Sequence, residues 1–313
     1  MTHPFLVGAA LQSLEGLLSG SVSAATPILL VALGGMYTYY AGVFNISMEG
    51  MMLCGAFGAV AVAHGTQSWV WGLAGGIAGA SALGLIFALF VVYLRVDEFV
   101  TGIALNLAAA GATTFAMRRT YGVAGAFSGT VDQPIPAIPR LSFGPIDKIP
   151  IVRAFLSGHT ILDWWAAVTV VLSLVIVFRT RFGLRLRAAG FNGPSLDASG
   201  VSTRWVRVYS IAACAVLCGL GGAFLSIGYL QVFGENMSNG RGWIALAAIV
   251  VVKGHPGGIA LLCGLFGLAS SLGLKAQSLH VPPQFSEMLP PIATLVALAV
   301  YANRRRLRVA VQS

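Results

Sequence analysis

Apolar residues in this chain do not alternate with polar ones; they come in long unbroken runs. Runs near the ~20 residues that a helix needs to cross a bilayer lie at about 17–40, 46–64, 69–94, 99–117, 161–178, 208–230, 257–274 and 287–302. One further run, 242–252, is apolar but short, and alone it covers only part of a bilayer. Strict period-2 alternation, the mark of a membrane β-barrel, is absent, so helices must satisfy the backbone in lipid. The pattern predicts an all-α fold: a polytopic membrane helix bundle of about nine transmembrane helices, one domain over residues 1–313.

Composition narrows the alternatives. Hydrophobic residues make up 57% and charged residues 9%, against roughly a quarter charged in a soluble domain. Mean hydropathy is +0.84, which excludes a soluble globular chain and a disordered one. The 39 glycines show no three-residue period, which excludes collagen. Pairs such as Gly72/Gly76 and Gly75/Gly79 instead give the small-xxx-small spacing that lets helix backbones approach in lipid. Cys54, Cys214, Cys218 and Cys263 sit in apolar runs without metal-site spacing, and Cys214 and Cys218 share a helix face as packing residues. No metal or cofactor is expected.

Net charge is +9, from 19 Lys+Arg against 10 Asp+Glu. In a chain bound for lipid this speaks of membrane sidedness, not of a nucleic-acid partner. Residues 1–94 hold no Lys or Arg, so the basic start of a cleavable signal peptide is missing. Arg179, Arg181, Arg185, Arg187, Arg204 and Arg207 crowd one short loop, 180–207 and its edges, and Arg304, Arg305, Arg306 and Arg308 follow the last run. Both groups belong on the cytoplasmic side, with Arg95. Parity then counts 242–252 as a crossing, continuous or not. It places residues 118–160 outside as a long Pro-rich loop, the N-terminus outside and the C-terminus inside.

No GxxxxGK[ST], HExxH or GxSxG motif is present, so the chain has neither an ATPase loop nor a catalytic constellation of its own. What it has are polar residues at membrane depth. Asn45 and Glu49 are i and i+4 in GVFNISMEGMM and share a face if that stretch is helical; Asn106 lies in TGIALNLAAAG; Asn239 and Arg241 precede Trp243. A carboxylate in hydrocarbon is costly, so Glu49 should meet a cavity or a partner helix. Either these residues line a translocation route (Asn45, Glu49, Asn106, Asn239, Trp243) or they hydrogen-bond between helices and only order the bundle. Tyr37, Tyr39, Tyr40 and Trp243 could stack on a solute or anchor at the membrane interface. In the basic loop, Gly190, Asn192, Gly193 and Pro194 break one short helix, and Pro194 favours starting another. The loop is either a docking surface or a solvated segment that fixes topology.

Four blocks occur in one order: AGVFNISMEGMMLCGAFGA, VDEFVTGIALNLAAAGATTF, LRAAGFNGPSLDASGVS and GRGWIALAAIVVVKGHPGG. Together they resemble the permease subunits of bacterial ABC importers for ribose-type sugars, nucleosides and branched-chain amino acids, over about residues 25–300. NISMEGMM and GRGWIALA are most similar to the nucleoside or simple-sugar branch. The resemblance implies a permease fold in the bacterial inner membrane. It also implies a partner ATP-binding subunit that uses the ATP, a second permease chain (related or identical) and an external solute-binding protein. It assigns ATPase coupling to Gly190, Asn192 and Gly200, with Arg187 in the basic helix before them. Ser195 and Leu196 stand where the family often has alanines, Pro194 is displaced by one position, and Val252 replaces a frequent glycine. The other reading of the residues is an ion- or proton-coupled carrier with Glu49 as its proton site; within the importer reading, branched-chain amino acids are the other cargo.

Overall fold

The computed structural model describes residues 3–130, 133–141 and 157–278, together with residue 292. Among them ten α-helices follow in order: α1 (His3–Tyr40), α2 (Met48–Thr66), α3 (Trp69–Ala88), α4 (Glu98–Tyr121), α5 (Ile161–Arg179), α6 (Arg181–Phe191), α7 (Gly193–Ala198), α8 (Thr203–Ala223), α9 (Arg241–Val251) and α10 (Pro256–Ser278). Helix α3 continues as a π turn over Leu89–Tyr93, and α8 does so over Phe224–Leu230. Two small antiparallel pairs complete the inventory: β1 (Ala126–Phe127) with β4 (Phe233–Gly234), and β2 (Arg140–Leu141) with β3 (His159–Thr160).

The chain is a mostly helical, polytopic membrane protein. Seven described helices are long and apolar enough to cross a bilayer, and α9 is a shorter apolar one. Together they account for eight of the nine predicted runs; the run at 287–302, apart from residue 292, and the arginines after it lie outside the described residues. Two loop boundaries move. Helix α4 extends to Tyr121, where Gly122 at φ +67° ends it, so Arg118 and Arg119 belong to its last turn and not to the loop. Helix α8 begins at Thr203, which makes Arg204 and Arg207 helical.

Glycine sets how the helices meet. A Cβ on Gly75 would lie 2.5 Å from the Gly58 carbonyl oxygen, and one on Gly79 would lie 2.6 Å from that of Cys54. Gly55, Gly76 and Gly219 converge so closely that α2, α3 and α8 touch backbone to backbone. Each member of the predicted small-xxx-small pairs on α3 lies in this contact, which dispersion and close approach hold together where lipid offers no hydrophobic drive.

The two ends of the bundle are distinct. At one end lie α6, α7 and the arginines around them. At the other, β1 pairs with β4, and the Tyr121 and Phe127 rings stack at 3.8 Å. Residues 231–254 run between these ends: Phe233 sits against Phe57 at the β1 end, and Gly254 reaches the rings of Tyr39 and Tyr40 at the arginine end. This path is irregular backbone followed by α9, whose 11 residues span only about 16 Å.

Candidate functional site

The connection from α1 to α2 is a non-helical stretch at residues 41–47, buried except at Gly42 and Phe44. Gly42 turns there at φ +70°, and α2 starts at Met48. Asn45 therefore lies before the helix, and the shared helical face expected for Asn45 and Glu49 does not exist. Asn45 instead folds the entry: its Oδ1 accepts from the Ser47 amide at 3.0 Å and the Ser47 hydroxyl at 2.7 Å, while its Nδ2 donates to Cys214 Sγ at 3.3 Å. Asn106 on α4 secures the same entry from the other side. It donates to the Ile46 carbonyl at 3.0 Å and accepts from the Gly50 amide at 2.8 Å. Irregular backbone is tolerated at membrane depth only when its polar groups are satisfied in this way.

Glu49, in the first turn of α2, reaches across to α9. Its Oε1 accepts from the Gly240 amide at 2.8 Å and its Oε2 from the Gly242 amide at 2.6 Å. A buried carboxylate is thereby held between the N-termini of two helices, the positive ends of their dipoles. Only glycine fits at 242, because a Cβ there would lie 2.7 Å from Glu49 Oε2 and from Glu49 backbone atoms. Glu49 thus fixes where α9 begins.

Beside that start is a cavity of about 490 Å³ between α1, the π turn of α8, α9 and α10. Its polar lining includes Ser23, Tyr229, Asn239, Arg241, Ser270 and Gln277. Three local devices shape it. Pro27, inside α1, has no N–H for the Ser23 carbonyl one turn earlier. The π turn carries Tyr229 into the lining. The residues before α9 bend through Asn236 at φ +54°, Asn239 at φ +44° and Gly240 at φ +78°. Arg241 spends one guanidinium nitrogen on the Met237 and Ser238 carbonyls, at 3.1 and 3.2 Å, and so closes that bend. The volume falls in the range of roughly 300–1,000 Å³ typical of small-molecule sites.

At the arginine end, α6 and α7 form a short helical elbow. Asn192 caps α7 by accepting from the Ser195 amide at 3.2 Å, and Gly200 ends the turn at φ +83°. Gly190 packs against the α1–α2 connection: its own added Cβ would lie 2.3 Å from the Tyr40 carbonyl oxygen, and one on Gly42 would lie 2.9 Å from Gly190 Cα. Arg187 lies over the Phe178 ring at 5.5 Å. It lines a groove of about 590 Å³ with Tyr39, Tyr40, Leu184 and Phe191, and Phe191 is 94% exposed.

At the opposite end, Arg118 donates to Glu235 Oε1 through Nε at 3.2 Å and Nη2 at 3.0 Å, and the Gly125 amide adds a third bond at 3.2 Å. The Gly125 amide first, and the Arg118 guanidinium second, hold the Glu235 carboxyl below the usual range.

The predicted residues therefore fall into four places. Asn45, Glu49 and Asn106 gather at the α2 entry, and Glu49 links that entry to Asn239 and Arg241 at the cavity. Trp243 lies on the exposed side of α9 and is not among the cavity-lining residues. Gly190, Asn192, Gly200 and Arg187 form the elbow. Sequence reasoning missed Ser23, Tyr229, Ser270 and Gln277 in the lining, Gly42 as the partner of Gly190, and Phe191 as the elbow's tip. Pro27 and the Gly-Val after Ala41 were the local signals available.

Comparison with known proteins adds an independent finding. A family model described as "Branched-chain amino acid transport system / permease component" matches residues 17–298. A guanosine ABC transporter permease protein of Bacillus subtilis is 31% identical over 307 residues, 94% of each chain. A nucleoside ABC transporter permease protein of Lactococcus lactis is 29% identical over 305 residues, again 94% of each. A chain of Haloferax volcanii provisionally named a glucose ABC transporter permease protein is 32% identical over 270 residues, 85% of this chain and 79% of that one. No solved structure matches.

Proposed function

This chain belongs to the family of branched-chain amino acid transport system permease components, and from that membership we propose that it is one membrane-spanning half of an ATP-driven importer for nucleosides or simple sugars. The observation that carries the solute class is the cavity beside α9. Asn239 and Gln277 supply amide donors and acceptors that suit a base edge or a sugar hydroxyl, Ser23 and Ser270 add hydroxyls, and Tyr229 offers a ring face. Glu49 already occupies the α9 N-terminus, which is otherwise a carboxylate site; that favours a neutral solute over an amino acid. The names of the guanosine and nucleoside relatives point the same way.

In this reading the arginine end faces the cytoplasm, in the bacterial inner membrane, and residues 122–160 face outside. A partner ATPase seats the α6–α7 elbow, with Phe191 as its apolar anchor. A second permease chain completes the pathway, and an external solute-binding protein delivers the cargo near the β1–β4 end. ATP is bound and spent by the partner alone. Closure of the ATPase displaces the elbow. Gly190 passes the displacement to Gly42, the 41–47 connection passes it to Glu49, and Glu49 passes it to α9 and the cavity. Gly190 against Gly42, and Glu49 against the Gly240 and Gly242 amides, are direct contacts, the contiguous kind of network that can carry such coupling.

Substrate class is tested by scanning the cognate external receptor with guanosine, purine bases, pentoses, hexoses and leucine; tight binding of leucine alone refutes the nucleoside or sugar reading. Coupling is tested with Asn192→Ala and with a residue inserted after Gly193. Both are expected to leave the complex assembled and hydrolysing ATP while uptake falls, and unchanged uptake in both refutes the assignment. Sidedness is tested with a cysteine at Ser128, which is expected to react with an impermeant thiol reagent in intact cells; reaction only after lysis reverses the topology. A proton-coupled carrier with Glu49 as its proton site finds less support, because both Glu49 oxygens are committed to helix amides. Uptake that survives loss of the ATPase and collapses with a protonophore is the result that would favour it.

A further inference from the structure

A second cleft, of about 690 Å³, opens at the arginine end where the π turn of α3, the start of α4, helix α7 and the start of α8 come together. Arg95, Arg204 and Arg207 line it, and so do Asp97, Glu98 and Asp197. The two sets differ in how they are used. Asp97 Oδ1 accepts the Phe99 and Val100 amides at 3.0 and 2.9 Å, Glu98 Oε2 accepts the Phe44 amide, and Asp197 Oδ1 accepts the Thr203 amide at 2.7 Å. Each carboxylate keeps one oxygen without a hydrogen-bond partner among the described residues. The guanidiniums are freer still. Arg207 makes one 3.4 Å bond to the Ala41 carbonyl, Arg204 lies over the Tyr93 ring at 5.6 Å, and no described carboxylate pairs with any of the three.

The walls beside the cleft are apolar and bare: Phe90, Tyr93, Trp205 and Tyr209 are between 39% and 57% exposed. They lie on the end turns of two membrane-spanning helices, at the level where Trp and Tyr meet lipid headgroups. Basic pockets between transmembrane helices at this level hold lipid headgroups. Here, however, three arginines face three carboxylates, so the formal charge of the cleft is zero. A purely anionic headgroup would leave the spare carboxylate oxygens facing negative charge. A headgroup with a phosphodiester for the guanidiniums and a primary ammonium for those oxygens satisfies both sets, with an acyl chain along the apolar wall.

We propose that this cleft binds one phosphoethanolamine phospholipid, which ties the ends of α3 and α4 to α7 and the start of α8. The inference needs only that these helices cross a bilayer; it does not depend on the solute carried. Because Asp197 belongs to α7, the lipid sits against the elbow and stiffens it.

The test is native mass spectrometry of the assembled transporter after delipidation, with phosphatidylethanolamine, phosphatidylcholine or phosphatidylglycerol added back. The wild-type complex is expected to retain phosphatidylethanolamine at least fivefold better than phosphatidylcholine, which lacks ammonium N–H donors, and better than phosphatidylglycerol. Arg95→Gln with Arg204→Gln, both exposed positions, is expected to abolish that preference while the thermal stability of the delipidated complex and its ATPase association stay as in wild type. Arg204→Lys, which keeps the charge and loses the planar fork, is expected to be intermediate. Equal retention of all three lipids by the wild type, a preference for phosphatidylglycerol, or an unchanged preference in the double variant overturns the proposal. Loss of the ATPase from the double variant also overturns it, and assigns the cleft to that protein partner instead.

Discussion

Helices α2 and α3 meet through glycine, with carbonyl oxygens where side chains would stand; α9 meets α1, α8 and α10 around a cavity edged with amides, hydroxyls and a guanidinium. The first contact is a regular pair of full-length helices. The second uses an eleven-residue helix, a π turn and a proline. In lipid, apolar burial does not distinguish a packed contact from an open one, so residue size decides. Where every third or fourth residue is glycine, the backbones close and nothing can move between them. Around α9 the π turn, the proline and the bend before the helix keep the backbones apart, and a cavity lies between them. The glycine zone is a frame, and the α9 zone is the part with room to change.

The largest effect is expected from breaking the frame. Gly75→Val places a branched side chain where even a Cβ lies 2.5 Å from the Gly58 carbonyl. The folded complex should be lost from the membrane, as read by yield and size-exclusion profile. A normal yield would mean that α2 and α3 can separate at no cost. Next is Glu49→Ala, which leaves the Gly240 and Gly242 amides unsatisfied at about 1–3 kcal/mol each. Both thermal stability and uptake should fall, and Glu49→Gln, with one acceptor oxygen kept, should fall between. Unaltered stability with normal uptake would remove Glu49 from the account.

Asn239→Ala sharpens the contrast, since it touches the cavity and not the frame. Transport should drop roughly 2- to 10-fold, the span of one hydrogen bond, through a raised half-saturation concentration, with stability lowered by no more than the ~1–2 kcal/mol that alanine costs at φ +44°. A larger loss of stability would make Asn239 part of the frame. The smallest effect belongs to the Glu235 tie. Its carboxyl is held below the usual range, so the tie is intact above the ordinary Glu value and is lost as pH falls through the lowered one. Labelling of a cysteine at Ser128, divided by that of a free thiol at each pH because thiolate reactivity itself falls with acid, should rise over that acidic window in the wild type and be flat in Glu235→Gln. A wild-type ratio without pH dependence would show that β1 and β4 stay paired without the carboxylate.

The spans were legible because length and apolarity alone define them, and Gly72, Gly75, Gly76 and Gly79 announced their packing by spacing. Glu49 was legible as a residue that must find a partner, through the cost of its charge. The partner was not, because Gly240 and Gly242 lie on another element, far along the chain. The shared face of Asn45 and Glu49 failed for a local reason: Asn45 bonds Ser47 and holds the chain out of the helix until Met48. The cavity was illegible because four elements each contribute one or two polar residues and none carries a pattern of its own. Arg241 was visible beside Trp243, but its role in closing the bend depends on the carbonyls of Met237 and Ser238.

The seam between Gly42 and Gly190 has a consequence for retargeting. Two main chains touch there without side chains between them, so the joint carries no chemical identity; any residue larger than glycine at 190 collides with Tyr40. In the proposed coupling, partner choice then falls to side chains on the rim of the elbow, Leu184, Arg187 and Phe191 among them, and not to the glycine joint. On that proposal the address and the hinge are separable, and exchanging rim residues should change which motor is bound while the linkage behind it stays untouched.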